Sequence, residues 1–77
     1  MPNEVYRMQL IAMKTIELSD LLIKSRIEIV RKKDARKLVK HSNKDEYKRL
    51  GAEIRRANKM VEMQKTELLS RQMRLFD

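Results

Sequence analysis

His41-Ser42-Asn43 is the one place where this 77-residue chain interrupts itself, just past its middle. From Asn3 to Lys40 there is neither proline nor glycine, and from Lys44 to Leu75 the only breaker is Gly51. Long runs rich in Leu, Lys, Glu, Arg and Met favour helix over strand. Asn43 suits the N-cap of a helix, and Glu46, three residues on, has the capping-box spacing. Lys40 and His41 place positive charge at the end of the preceding helix, where the helix dipole favours it. Pro2-Asn3 followed by Glu4 suits a helix start. The spacing predicts a helix over about 3–40, a turn at 41–43 and a helix over about 44–75. Each would be about 50 Å long at 1.5 Å per residue. Two matched helices joined by a short turn make an antiparallel hairpin, so the expected fold is all-α, a single coiled-coil-like domain over residues 1–77.

The apolar pattern supplies a seam for each helix. Tyr47, Leu50, Ile54, Ala57, Val61, Gln64, Leu68, Arg71 and Leu75 follow 3-4 spacing, broken chemically only by Gln64 and Arg71. Met13, Ile16, Asp20, Ile23, Ile27, Val30, Asp34 and Leu38 form a similar row in the first helix. Folding at 42–43 pairs Leu38 with Tyr47, Val30 with Ile54, Ile27 with Ala57, Ile23 with Val61 and Ile16 with Leu68. Asp20 then meets Gln64 in a polar layer, or tilts to solvent. The first helix also has a second apolar face, carrying Met8, Ile11, Leu18, Leu22 and Ile29, while the back of the second helix is polar.

A chain this short has little core, and Cys, which would supply disulfides or thiolate metal sites, is absent. The single His41 does not suggest a zinc site, and no cofactor or metal is expected. Oligomerisation is the remaining remedy. The second face of the first helix (Met8, Ile11, Leu18, Leu22, Ile29), with a C-terminal patch of Leu69, Met73 and Phe76, is therefore the expected oligomer or partner interface. A homodimer forming a four-helix bundle is expected, with docking on another protein as the alternative.

The net charge of +8 is segregated. Residues 24–56 hold thirteen basic and five acidic residues, whereas 1–23 hold two and three, and 57–77 hold four and three. In a hairpin, one end is strongly basic, which directs a field toward polyanions. The expected nucleic-acid-binding residues are Arg31, Lys32, Lys33, Arg36, Lys37, Lys40, Lys44, Lys48 and Arg49, extended by Arg55 and Arg56. The competing reading is a solvated helix end, with Glu28, Asp34, Asp45, Glu46 and Glu53 placed to pair locally. Too few aromatics are present for base stacking, and the spacing fits neither a helix-turn-helix nor a ribbon-helix-helix. Any nucleic-acid contact is expected to have low sequence specificity.

Residues 16–37, IELSDLLIKSRIEIVRKKDARK, resemble the first long helix of the all-helical chorismate mutases. The resemblance would place Arg7, Arg26 and Lys37 where that family holds cationic substrate ligands. That family completes its site with further helices and a further polar residue, and no third helix is expected here. No Cys nucleophile, Ser/His/Asp set, Gly-rich phosphate loop or H-E-x-x-H motif occurs. The expected function is thus a non-enzymatic binding module whose basic tip engages nucleic acid. The alternative is a small regulator or inhibitor that docks a partner protein. No small-molecule substrate is expected. No apolar run approaches the roughly 18 residues of a membrane span, and no signal-peptide core is visible. The chain is expected to be soluble and cytoplasmic, without membrane partners. Gly51 reads as either a close helix approach or simple tolerance, and His41 as a helix-end cap.

Overall fold

A computed structural model describes residues 3–75, with side chains as far as residue 72. The chain is all-α, with α1 at Asn3–Ala12, α2 at Thr15–Val39 and α3 at Lys44–Leu75. Helices α2 and α3 pack antiparallel as a hairpin in a rod of 53 × 22 × 17 Å. The turn forms at the expected place. The amides of Ser42 and Asn43 donate to the Val39 carbonyl at 3.3 and 3.0 Å. Asn43 caps α3 through its side chain: the Glu46 amide donates to Asn43 Oδ1 at 3.1 Å.

The α3 seam faces inward as its spacing predicts. Leu50, Ile54, Val61 and Gln64 are buried, and Tyr47, Ala57, Leu68 and Arg71 are half-buried. The long first helix, by contrast, is two helices. Lys14 is extended (φ −67°, ψ 152°), and the chain reverses there. The ten residues of α1 fold back beside α3, so that Asn3 lies near Arg56 and Lys59, and Arg7 and Leu10 near Thr66 and Glu67. A helix this short is not stable alone in water. Its stability comes from packing: Tyr6, Leu10 and Leu18 form a buried cluster with Met13, Leu21, Met63 and Leu68 against it. Burying Leu10 and Leu18 contributes about 1.5–3 kcal/mol each.

The two polar interruptions of the α3 seam are what hold α1. Gln64 Nε2 donates to the Tyr6 hydroxyl at 2.7 Å and to Ser25 Oγ at 3.2 Å. Arg71 Nη2 donates to the carbonyls of Leu10 at 2.9 Å and Ile11 at 3.3 Å, at the end of α1. The Leu10 carbonyl also accepts from the Met13 amide at 3.2 Å, and Arg71 adds a C-cap from another element at the end where α1 runs out of its own donors. Arg71 Nη1 reaches Thr15 Oγ1 at 3.2 Å, and Nε donates to Glu67 at 3.0 Å, so one guanidinium spans the break between α1 and α2.

The seam of α2 is the opposite of the expected one. Leu18 and Ile29 are buried, and Leu21, Leu22 and Ser25 half-buried, whereas Ile16, Asp20, Ile23, Ile27, Val30, Asp34 and Leu38 are exposed. The hairpin keeps its antiparallel pairing, but α2 is rotated by about half a turn at 100° per residue. Leu18 and Ile29, expected on an outer interface, are therefore core. The physical reason is polar cost. The expected seam carries two aspartates, and burying an unpaired carboxylate costs far more than burying the Ser25 hydroxyl beside Gln64. Asp20 stays in water, and Gln64 pairs with Tyr6 and Ser25 instead.

Candidate nucleic-acid interface

The basic end is built by the last four turns of α2 and the first four of α3. Lys33, Lys37 and Lys40 stand at i, i+4 and i+7, on one stripe of α2. They line a groove of about 480 Å³ together with the apolar Val30, Ile54 and Tyr47 and with Asp34 and Arg36. From Lys33 to Lys40 the rail runs about 10 Å along the helix axis. That matches the axial advance of about three nucleotides in one DNA strand.

Nine of the eleven expected phosphate contacts are exposed: Arg31, Lys33, Lys37, Lys40, Lys44, Lys48, Arg49, Arg55 and Arg56. Lys32 and Arg36 are half-buried. Arg36 is part of the hairpin itself. Its guanidinium carbon lies 3.9 Å from the Tyr47 ring centroid, and its Nε donates to the Tyr47 carbonyl at 3.2 Å. Gly51 makes room for it: a Cβ at that position would fall 2.9 Å from Arg36 Nη2. Of the two readings of Gly51, close approach and simple tolerance, the structure shows a close approach, and it is by a guanidinium rather than by another helix. Arg49 is tied to Glu46, whose hydrogen bond and charge raise its pKa above the ordinary arginine value. Among the described residues, Lys33, Lys37, Lys40 and Lys44 make no salt bridge and no side-chain hydrogen bond. The local acids Asp34 and Asp45 leave this rail unpaired.

The residues expected at a partner interface scatter. Met8, Ile11 and Leu69 are exposed, Leu22 is half-buried, and Leu18 and Ile29 are interior. The side chain of Met73 and all of Phe76 lie outside the described residues. The exposed apolar surface that spacing assigned to the core is instead the row Ile16, Ile23, Ile27, Val30 and Leu38, with Leu38 83% and Ile16 72% exposed.

Arg7, Arg26 and Lys37, the cations suggested by the mutase likeness, are all exposed and form no common site. Arg7 borders a pocket with Met63 and Thr66, and Lys37 borders one with Tyr47 and Ile54. Met63 and Ile54 are nine residues apart on one helix, about 13 Å. Among the described residues no helix is long and apolar enough to cross a membrane. No protein-family model, curated protein or solved structure matches the chain.

Proposed function

We propose that this protein is a non-enzymatic binding module whose basic hairpin end engages the phosphate backbone of nucleic acid with little sequence specificity. The observation that carries this reading is the rail of Lys33, Lys37 and Lys40, joined across the turn by Lys44. These four ammonium groups sit at one end of the rod and, among the described residues, none is in a salt bridge, although Asp34 borders the same groove. Such a rail neutralises phosphates and releases counterions without reading base edges. Self-association belongs to the same proposal: two copies packed into a helical bundle would present two basic ends.

The test is a titration of the protein into labelled random-sequence duplex DNA and RNA at low and moderate salt. Binding that weakens steeply with salt is expected. No binding at low salt would sink the proposal. The second reading, a regulator docking a partner protein, would then take its place; it is favoured by the exposed row on α2 with Met8, Ile11 and Leu69.

A further inference from the structure

The row Ile16, Ile23, Ile27 and Val30 has seam spacing, with Asp20 and Asp34 at the intervening seam positions and Leu38 just beyond. It runs about 33 Å from Ile16 to Leu38 along α2, largely on the side turned away from α3, with Val30 and Asp34 at the edge of the basic groove. Scattered apolar residues on a surface need no explanation, but a row of this length marks an interface even with Asp20 and Asp34 in it: the two carboxylates lie toward its ends, Asp34 beside Lys33 and Lys37, where water and basic side chains reach them. Neither α1 nor α3 covers it, since all five apolar members are exposed.

We infer that a second copy of this chain covers the row, with the two α2 helices antiparallel. Charge decides both the occupant and the orientation. The N-terminal part of the row, residues 15–23, carries Glu17 and Asp20 and no basic residue. The C-terminal part, residues 31–40, carries six basic residues, of which Arg31, Lys33, Lys37 and Lys40 are exposed, and only Asp34 as an acid. Antiparallel copies set each acidic segment beside the basic segment of the other, twice over by symmetry. Parallel copies would set the two basic segments side by side. The row is thus complementary to itself in one direction only. Centring the pair between Ile23 and Ile27 stacks Ile23 of one copy on Ile27 of the other, and brings Glu17 near Arg31 of the second copy. A standard interface buries about 800 Å² per partner. That is about an eighth of the 6430 Å² of this surface, within reach of a helix face running most of the rod's length. The assembly would carry its two basic ends at opposite poles. The inference builds on the self-association proposed above and does not depend on nucleic-acid binding.

Sedimentation equilibrium of the full chain, without nucleic acid, tests it. The expected mass is twice 9.3 kDa. The variant Ile23→Asp/Ile27→Asp is expected at the single-chain mass with unchanged helicity by circular dichroism. Orientation is read by crosslinking, since the chain has no cysteine. An oxidised mixture of Glu17→Cys and Arg31→Cys proteins is expected to give the mixed disulfide, with little crosslinking of Glu17→Cys to itself. A monomeric native chain would overturn the inference. So would a double variant that stays dimeric or loses its helices, or preferential self-crosslinking of Glu17→Cys. The duplex titration of the native chain is a separate measurement, so the two readings fail separately.

Discussion

The Gln64 amide nitrogen sits 2.7 Å from the Tyr6 hydroxyl, joining residues 58 positions apart in a buried contact. Gln64 is 1% exposed, and its Oε1 is the buried side-chain polar atom left without a partner among the described residues. Turning the amide over would present Oε1 to two hydroxyls that can donate, so Tyr6 and Ser25 can satisfy either end. The contact locks α1 onto the hairpin. Tyr6→Phe and Gln64→Leu should each cost about 1–2 kcal/mol, because each strands a buried polar group. The double variant should cost clearly less than the two single losses added, since both partners are then apolar. Urea denaturation of the four proteins reads the coupling. Additive losses would mean that the two side chains do not act on each other.

Arg71 makes a separate prediction. Its guanidinium serves the carbonyls of Leu10 and Ile11 and the hydroxyl of Thr15 together. Arg71→Met keeps the apolar stem but uncaps α1, at a cost of about 1–3 kcal/mol. Arg71→Lys should recover little of this, because one ammonium nitrogen cannot stand in both places from which the two guanidinium nitrogens serve these acceptors. Amide exchange should accelerate in α1 and at residues 13–15 while the α2–α3 turn stays protected. Acceleration across the whole chain would instead make α1 an inseparable part of one cooperative unit.

These two residues also show where the sequence is legible. The turn, its Asn43 cap and the α3 seam follow from local signals: a cap residue at the right offset and regular spacing. The break at Lys14 does not, because no proline or glycine marks it. It exists because Tyr6 and Leu10 pack into the core, and because Gln64 and Arg71, which look like flaws in the seam, bind α1 from 58 to 61 residues away. The inward face of α2 was ambiguous for a different reason. The helix is apolar on two opposite sides, so periodicity alone cannot choose between them. What could have chosen is polarity within each row: Asp20 and Asp34 on one, Ser25 and the long stems of Lys32 and Arg36 on the other. At the basic end, the charge excess was readable from composition. That Arg36 is consumed by Tyr47 was not, since the contact depends on Gly51 across the hairpin.

Gly51→Ala tests that last contact. In a helix interior the change ordinarily gains about 1 kcal/mol. Here the added methyl meets Arg36 Nη2, a flexible side-chain end, which must swing off the Tyr47 ring. The gain should therefore be largely cancelled in the native background. In an Arg36→Ala background, where nothing is displaced, Gly51→Ala should stabilise by about the full 1 kcal/mol. Equal effects of Gly51→Ala in both backgrounds, measured by thermal unfolding, would show that the guanidinium does not depend on the missing Cβ.

The basic rail can be separated from net charge by comparing two variants of equal charge. Lys33→Glu/Lys37→Glu reverses two ammonium groups on the groove, and Lys14→Glu/Lys59→Glu reverses two exposed ones away from the basic end. If the rail holds phosphates, the first variant loses two contacts. The slope of log affinity against log salt should then fall by about 2, at roughly 0.9 per phosphate. The second variant should keep the native slope and lose only a modest part of its affinity through the weaker overall field. Both proteins should melt near the native temperature, because none of the four lysines is buried. Equal losses in slope would mean that duplex binding follows the net charge of +8 rather than a site, and residues 31–50 would be a solvated helix end.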